Sequence, residues 1–385
     1  MPPLVAFAGG GTGGHLYPAI AVAHALRRRV PNLHILFLAT DRPIDRQILG
    51  QVDCEFAAQA LPRLSRLPWH WPSMILALRG AIREVRARFE ADPPLAVIGT
   101  GGSASVPAVR TARQMNIPTA LLNPDALPGR ANRYLARLAD FVFVQWEETR
   151  EHLRFHTEVR ALGCPIREGF HSSDAEEGRR RFQLHAARKT ILITGASQGA
   201  RTINQAAVGN LDFLATLEDW QILHLTGERD FDSVQAAYRK AGLEAKVLRF
   251  TDHMAFCVAA ADLVISRAGA STLAELTALG RASILMPYPF HRDQHQVANA
   301  QCLVRRGAAR LVVDRKDAAA NAAALREALE ELTAQDEVRE AMAAAARKMG
   351  ATDAASRIAD TILSMRGHVS IAPPESLEVT CGTTR

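Results

Sequence analysis

A short apolar run, Leu4–Ala8, ends in Gly9-Gly10-Gly11-Thr12-Gly13-Gly14-His15 and passes into an amphipathic stretch from Pro18 to Leu26. This succession of strand, glycine-rich turn and helix restricts the fold more than any other feature of the chain. Glycines let the backbone reverse sharply and bring its N–H groups close to a ligand. The helix behind them offers unpaired N–H groups and a positive dipole end, which favour phosphate or another oxyanion. His15 then stands at the mouth of the turn. The succession recurs where Ile191–Thr194 meets Gly195-Ala196-Ser197-Gln198-Gly199-Ala200. Further apolar runs alternate with helical patterns: Ile35–Ala39, Ala96–Ile98, Thr119–Leu122 and Phe141–Val144 in the first half. Gln221–Leu225, Lys246–Phe250, Leu263–Ile265 and Ser283–Met286 follow in the second. Such alternation predicts an α/β protein with one parallel sheet and its crossover helices in each half. Ligands of open parallel sheets bind beyond the carboxyl ends of the strands, so the site is expected in the cleft between the halves.

A chain of 385 residues accommodates two domains, and the boundary is expected near Gly163-Cys164-Pro165. Hydrophobic content of 48% with 22% charged residues excludes a disordered chain. The net charge of +6 suits nucleotides, nucleic acid or anionic lipid and does not choose among them. Cys54, Cys164, Cys257, Cys302 and Cys381 lack metal-ligand spacing and read as reduced thiols. No leader pattern opens the chain and no apolar run would span a bilayer; a soluble protein, at most attached to a membrane surface, is expected. Ala318–Gly350 reads as surface helix, and residues from Gly367 onward as a disordered tail.

Gly9, Gly11 and Gly14 satisfy G-x-G-x-x-G and Asp41 follows the second apolar run, as in a dinucleotide-binding unit. A tight turn with no ligand is the plain alternative. Two further loops weigh against both: Gly99-Thr100-Gly101-Gly102-Ser103, and Ser266-Arg267-Ala268-Gly269-Ala270-Ser271-Thr272. Small-residue turns after strands in both halves predict an anionic, nucleotide-linked ligand gripped from two sides.

Taken in order, Gly9–His15 with Pro18, Gly195–Ala200 with Asn204, Arg267–Glu275 and His295-Gln296-Val297-Ala298-Asn299 resemble the MurG family (glycosyltransferase family 28). These are peripheral membrane enzymes that make lipid II in peptidoglycan synthesis. The resemblance runs from Leu4 to Met365 and implies the GT-B fold, two Rossmann-like domains whose parallel sheets face each other across a cleft. Residues 1–164 would take lipid I, the undecaprenyl-linked muramyl pentapeptide, and meet an anionic membrane surface. Residues 165–349 would bind UDP-N-acetylglucosamine, and a helix over 350–366 would pack back on the first domain. The implied reaction is inverting transfer of N-acetylglucosamine to the 4-hydroxyl of N-acetylmuramic acid, on the cytoplasmic face of the cell membrane. Nucleic acid has no part in it. No tightly bound cofactor or metal is implied, and stimulation by free Mg²⁺ stays open.

On the donor side, the resemblance implies that Glu275 holds the ribose diol, since a carboxylate accepts two hydrogen bonds; a helix-surface glutamate is the alternative. Phe250 and Thr251 fall where the backbone meets uracil. Ser197, Gln198 and Gly199 would face the diphosphate, with Thr12, Gly13 and Gly14 and with Gly269, Ser271 and Thr272 at the other turns. Arg167 completes a G-x-P-x-R element and is either a nucleotide contact or half of a hinge salt bridge. Gln296 and Asn299 fall where sugar hydroxyls are read. His295 beside them is a contact or a packing residue, and Asn204 a donor contact or a capping and packing one.

Gly101, Gly102, Ser103, Asn123 and Asn132 fall on the acceptor side. Displacement at the sugar needs a base near the acceptor hydroxyl and stabilisation of charge on the leaving diphosphate. Helix N-termini after Gly199 and Gly269 can supply the second. His15 is the candidate base or a group that orients a hydroxyl. One departure falls on this side: where the family carries His-Glu-Gln-Asn, this chain has Leu122-Asn123-Pro124-Asp125, although Gly129 and Asn132 fit. Ser103 also replaces an aromatic residue. Donor identity is therefore firmer than acceptor identity, and Asp125 becomes a second candidate, as a base or as a support for His15. The rivals are a UDP-N-acetylglucosamine 2-epimerase and a non-catalytic UDP-sugar-binding protein.

Residues 63–89 carry Trp69, Trp71, Met74, Ile75 and Leu78 among Arg63, Arg66, Arg79, Arg83, Arg86 and Arg88. Apolar side chains can enter a headgroup layer while arginines meet anionic lipid. An amphipathic helix packed on the sheet is the alternative.

Overall fold

The computed structural model describes residues 2–59, 61, 71–153, 157–195, 199–290 and 293–365. Ser197, Gln198, Arg63, Arg66, Trp69 and the segment beyond Met365 lie outside these residues.

The first sheet has seven parallel strands: β1 (Leu4–Gly9), β2 (His34–Thr40), β3 (Glu55–Gln59), β4 (Ala96–Gly101), β5 (Thr119–Asn123), β6 (Phe141–Val144) and β7 (Glu158–Ala161). Helices α1 (Gly13–Arg29), α2 (Pro43–Leu49), α3 (Trp71–Ala91), α4 (Ser105–Gln114) and α5 (Arg130–Leu135) make crossovers. The strand order is β3-β2-β1-β4-β5-β6-β7. With helices on both faces, the central strands can be apolar throughout, and every residue of β1 is buried.

Helices α6 (Gly169–Ser172) and α7 (Ala175–Arg181) lead into a second sheet. Its six parallel strands are β8 (Lys189–Thr194), β9 (Trp220–Leu225), β10 (Ala245–Leu248), β11 (Leu263–Ser266), β12 (Ala282–Leu285) and β13 (Arg310–Leu311), ordered β10-β9-β8-β11-β12-β13. Between them run α8 (Arg201–Val208), α9 (Leu211–Leu214), α10 (Phe231–Lys240), α11 (Met254–Ala260), α12 (Ala270–Ala278) and α13 (His295–Val304). Helices α14 (Ala318–Ala334), α15 (Asp336–Lys348) and α16 (Ala354–Ser364) close the described chain.

Both sheets reverse their order beside the first strand, between β1 and β4 and between β8 and β11. At such switch points neighbouring loops leave toward opposite faces and open a crevice. The turns after β1 and β4 flank one, and those after β8 and β11 the other. Helix α16 returns to the first half, where Ile358, Ala359 and Ile362 join Val22 and Leu26 in one core. Arg29 of α1 pairs with Asp360 and donates to the Ser356 carbonyl at 3.1 Å.

Three sequence expectations need correcting. Helix α1 begins at Gly13, not Pro18, which puts His15 inside its first turn. The segment Ala318–Gly350 holds two helices and not one; α14 lies at the surface as expected, with Leu325, Leu329 and Leu332 burying one stripe of it in the second core. Strand β10 ends at Leu248, leaving Phe250 beyond it and 54% exposed.

Candidate active site

The glycine turn after β1 is held from beneath. Gly11 N–H reaches both carboxylate oxygens of the fully buried Asp45 at 2.8 Å. The Thr40 hydroxyl donates to the same carboxylate. Asp41, the acid of the dinucleotide pattern, pairs instead with Arg46 at the surface. The His15 Nδ1 lies 2.9 Å from the Gly10 carbonyl. A carbonyl only accepts, so this contact puts the proton on Nδ1 and leaves the Nε2 lone pair free to take another. The ring leans on the turn after β4. Gly101 has φ +110, and a Cβ there would stand 3.1 Å from Nε2. The Ser105 hydroxyl fixes that turn, accepting from Gly101 N–H at 2.9 Å and donating to the Ala8 carbonyl at 2.8 Å.

The departing segment after β5 is tied inward. Asn132 donates to Asn123 Oδ1 at 3.0 Å, and Asn123 donates to the Asp125 carbonyl at 2.7 Å. Both amides are buried and hold the loop's shape. Asp125 does not touch His15; its Oδ1 accepts from Asn299 of α13 at 2.9 Å. Asn299 Oδ1 accepts from Ala126 N–H at 2.8 Å, and His295 Nδ1 lies 2.8 Å from the Leu127 carbonyl. Gln296 accepts from Tyr288 N–H at 2.9 Å.

In the second half, a buried ion pair joins the loops after β11, β12 and β13 to the first turn of α8. Arg267 donates to Asp314 at 2.9 Å, to the Met286 carbonyl at 2.9 Å and to the Thr202 hydroxyl at 2.7 Å. Burial works to raise the Asp314 carboxyl, but hydrogen bonds from Thr202, Arg267, the Lys316 N–H and Asn321 hold it below its ordinary range. Behind the turn after β8, Asn204 donates to the Thr226 carbonyl at 2.9 Å and to Asp230 at 2.8 Å, and its Oδ1 meets His224 Nε2 at 3.1 Å. Asn204 is thus engaged within the protein. Gly199 (φ +72) presses on the same place, where a Cβ would lie 2.0 Å from the Thr226 carbonyl.

Glu275 is 8% exposed and takes Arg167 Nε at 2.8 Å. The guanidinium lies over Tyr17 of α1 and Phe170, with 5.0 Å to each ring centre. Arg167 thus forms a salt bridge to α12 while resting on α1. Burial pushes the Glu275 carboxyl up, against the opposing pull of Arg167. The uncapped N-termini of α1 and α12, one from each half, converge here. A Cβ at Gly14 would stand 4.0 Å from Ser271 Oγ. That hydroxyl is buried beside the Cys164 thiol and has no oxygen or nitrogen partner. Two positive helix ends aimed at one crevice suit a dianionic diphosphate.

Comparison with known proteins gives this crevice a family. Residues 5–144 match the glycosyltransferase family 28 N-terminal domain, and residues 190–358 the family's C-terminal domain. The chain belongs to glycosyltransferase family 28. A relative from Thermodesulfovibrio yellowstonii is 39% identical, over 81% of this chain and 86% of its own. One from Syntrophus aciditrophicus is 35% identical over 95% and 99%. Both are UDP-N-acetylglucosamine–N-acetylmuramyl-(pentapeptide) pyrophosphoryl-undecaprenol N-acetylglucosamine transferases. The crystal structure of Acinetobacter baumannii MurG superposes with a TM-score of 0.75 at 26% identity, covering 94% of this chain and 99% of that one. A Neisseria meningitidis UDP-GlcNAc 2-epimerase bound to UDP-GlcNAc (TM-score 0.70, 17% identity; 94% and 100% covered) shares the GT-B fold.

Within this family 28 chain, sequence reading passed over Asp45, Ser105 and Asp314. Each is a lone short polar residue that also reaches a distant strand end: Asp45 the Gly11 N–H, Ser105 the Ala8 carbonyl and Asp314 the Arg267 guanidinium. Only a motif linking it to the glycine turn could have found it.

Proposed function

We propose that this chain transfers N-acetylglucosamine from UDP-N-acetylglucosamine to the 4-hydroxyl of the N-acetylmuramic acid of lipid I, giving lipid II with inversion at C1. The observation that carries this reading is the convergence of α1 and α12 on one crevice, in a chain that aligns over both halves with transferases of that name. His15 Nε2 takes the proton of the 4-hydroxyl as its oxygen attacks C1. The Gly10 carbonyl on Nδ1 stabilises the imidazolium that results. The C1–O bond to the diphosphate breaks on the opposite face. The N-termini of α1, α12 and α8, with Gly199, Gly269, Ser271 and Thr272, meet the departing charge. Glu275 exchanges Arg167 for the ribose diol, Phe250 and Thr251 frame the uracil, and Gln296 reads the sugar. No resident cofactor is assigned.

An acceptor with a polyprenyl tail also favours a peripheral seat on the cytoplasmic face of the cell membrane. Ile75 and Leu76 of α3 are exposed beside Arg79 and Arg83. No helix of the described residues is long and apolar enough to cross a membrane.

The test supplies labelled UDP-N-acetylglucosamine and a short-chain lipid I analogue, and follows disaccharide and free UDP together. Equal amounts of both are expected. UDP-N-acetylmannosamine in place of disaccharide, or sugar binding without turnover, overturns the reading.

A further inference from the structure

The first turn of α13 places His295 and Asn299 one above the other, four residues apart on one face. That face meets consecutive groups of the loop after β5. His295 bonds the Leu127 carbonyl, Asn299 Oδ1 accepts from Ala126 N–H, and Asn299 Nδ2 donates to Asp125 Oδ1. The second Nδ2 hydrogen goes to the Ala268 carbonyl at 3.2 Å, in the turn before α12. Asn299 is fully buried, with both amide hydrogens and its oxygen engaged. It therefore has no hydrogen left for a sugar hydroxyl. Gln145 adds a further tie, its amide nitrogen donating to the Pro124 carbonyl at 3.0 Å and to the Ala270 carbonyl at 3.3 Å. Groups from residues 124 to 127 are thus each held, and three of these four ties come from two side chains of α13, His295 and Asn299.

We infer that Asn299 and His295 are positioning residues that clasp the Asn123–Pro128 loop to the donor half, so that they govern acceptor use and not the grip on the donor sugar. This rests on the transfer reaction proposed above. Pro124 and Asp125, the last two residues of the run Leu122–Asp125, are among those clasped, and the Asp125 carboxylate makes the bond to Asn299 charge-assisted. Because Asn299 joins this loop to the turn before α12, acceptor groove and diphosphate site close as one body.

The experiment uses the full chain carrying Asn299→Asp, Asn299→Ala, Asp125→Ala or Asp125→Asn. Donor affinity is read by calorimetry with UDP-N-acetylglucosamine, acceptor KM and kcat with the lipid I analogue, and domain spacing by small-angle scattering. Asn299→Asp sets a carboxylate against Asp125 and the Ala268 carbonyl. It is expected to raise acceptor KM by about tenfold or more while donor Kd stays within about twofold, and to enlarge the radius of gyration. Asp125→Ala should follow it. Asp125→Asn keeps a carbonyl oxygen for Asn299 and should recover most of the loss with an unchanged pH–rate profile. Donor affinity falling in step with activity would make Asn299 a sugar reader and sink the clasp. Loss of one limb of the pH profile in Asp125→Asn would make Asp125 the base and sink it too. Should Asn299→Asp not fold, His295→Ala and Asn299→Ala carry the same comparison. A wild-type enzyme that makes no disaccharide refutes the reaction, while the scattering difference still judges the clasp.

Discussion

His224 is buried between Tyr238, 3.1 Å from Nδ1, and Asn204, and burial pushes its imidazole down to about 3. The unfolded group titrates at about 6.5. Between those values the unfolded chain binds a proton that the folded one refuses, so stability falls as pH drops below about 6.5. The loss is about 1.4 kcal/mol per pH unit and ends near pH 3. Above pH 6.5 the group contributes no pH dependence. Urea unfolding at pH 7.0 and at a value one unit below about 6.5 should show the wild type losing about 1.4 kcal/mol more than His224→Gln; equal losses would mean the buried ring accepts charge. Arg267 tests a different kind of burial. Its partner Asp314 has no exposed side-chain surface, so Arg267→Ala strands a carboxylate and frees loops from several strand ends. A cost of about 3–5 kcal/mol is expected, read as a fall in melting temperature, with UDP affinity lost alongside.

At the scale of elements, α3 divides into two parts. Ala81, Val85 and Phe89 recur every four residues and are buried on the first sheet, as an ordinary amphipathic helix requires. One or two turns earlier, Ile75 is 51% and Leu76 66% exposed. Leu76→Glu should leave stability within about 0.5 kcal/mol, because an exposed side chain has little burial to lose. It should nevertheless weaken sedimentation with anionic vesicles if this turn meets the headgroups; unchanged binding would move the membrane contact elsewhere. The central strands were legible because burial on both faces makes them continuous apolar runs, as in Leu4–Ala8 and Ile191–Thr194. The strands left unread, β3, β7 and β13, lie at sheet edges, where Glu55, Glu158 and Arg310 dilute the apolar signal. Site legibility followed the same division. The glycine turns announce their backbone task in local sequence, whereas the engagement of Asn204, Asn299 and Arg167 with distant carbonyls and carboxylates is set by tertiary packing.

The whole molecule is laced by its last described helix. The chain leaves the first sheet after β7, at Ala161, builds the second sheet, and returns so that α16 covers α1. Ile358 is fully buried, and Ile362 and Leu363 are 3% and 7% exposed. Three buried aliphatic side chains at about 1.5–3 kcal/mol each amount to about 5–9 kcal/mol, a large share of the 5–15 kcal/mol that holds a typical domain folded. The first half is therefore not complete until α16 has been made. Ending the chain at Gly350 should leave the first sheet unable to fold, although every one of its strands is present. Ile358→Ala is the milder probe, with an expected cost of about 2–5 kcal/mol. Hydrogen exchange decides where that cost falls. Amides of β1 and β2 should lose protection while those of β8 and β9 keep it, since the α16 side chains belong to the core beneath the first sheet. Loss confined to β8 and β9 would mean that α16 serves the second sheet, and loss spread evenly over both would mean that the halves unfold as one cooperative unit.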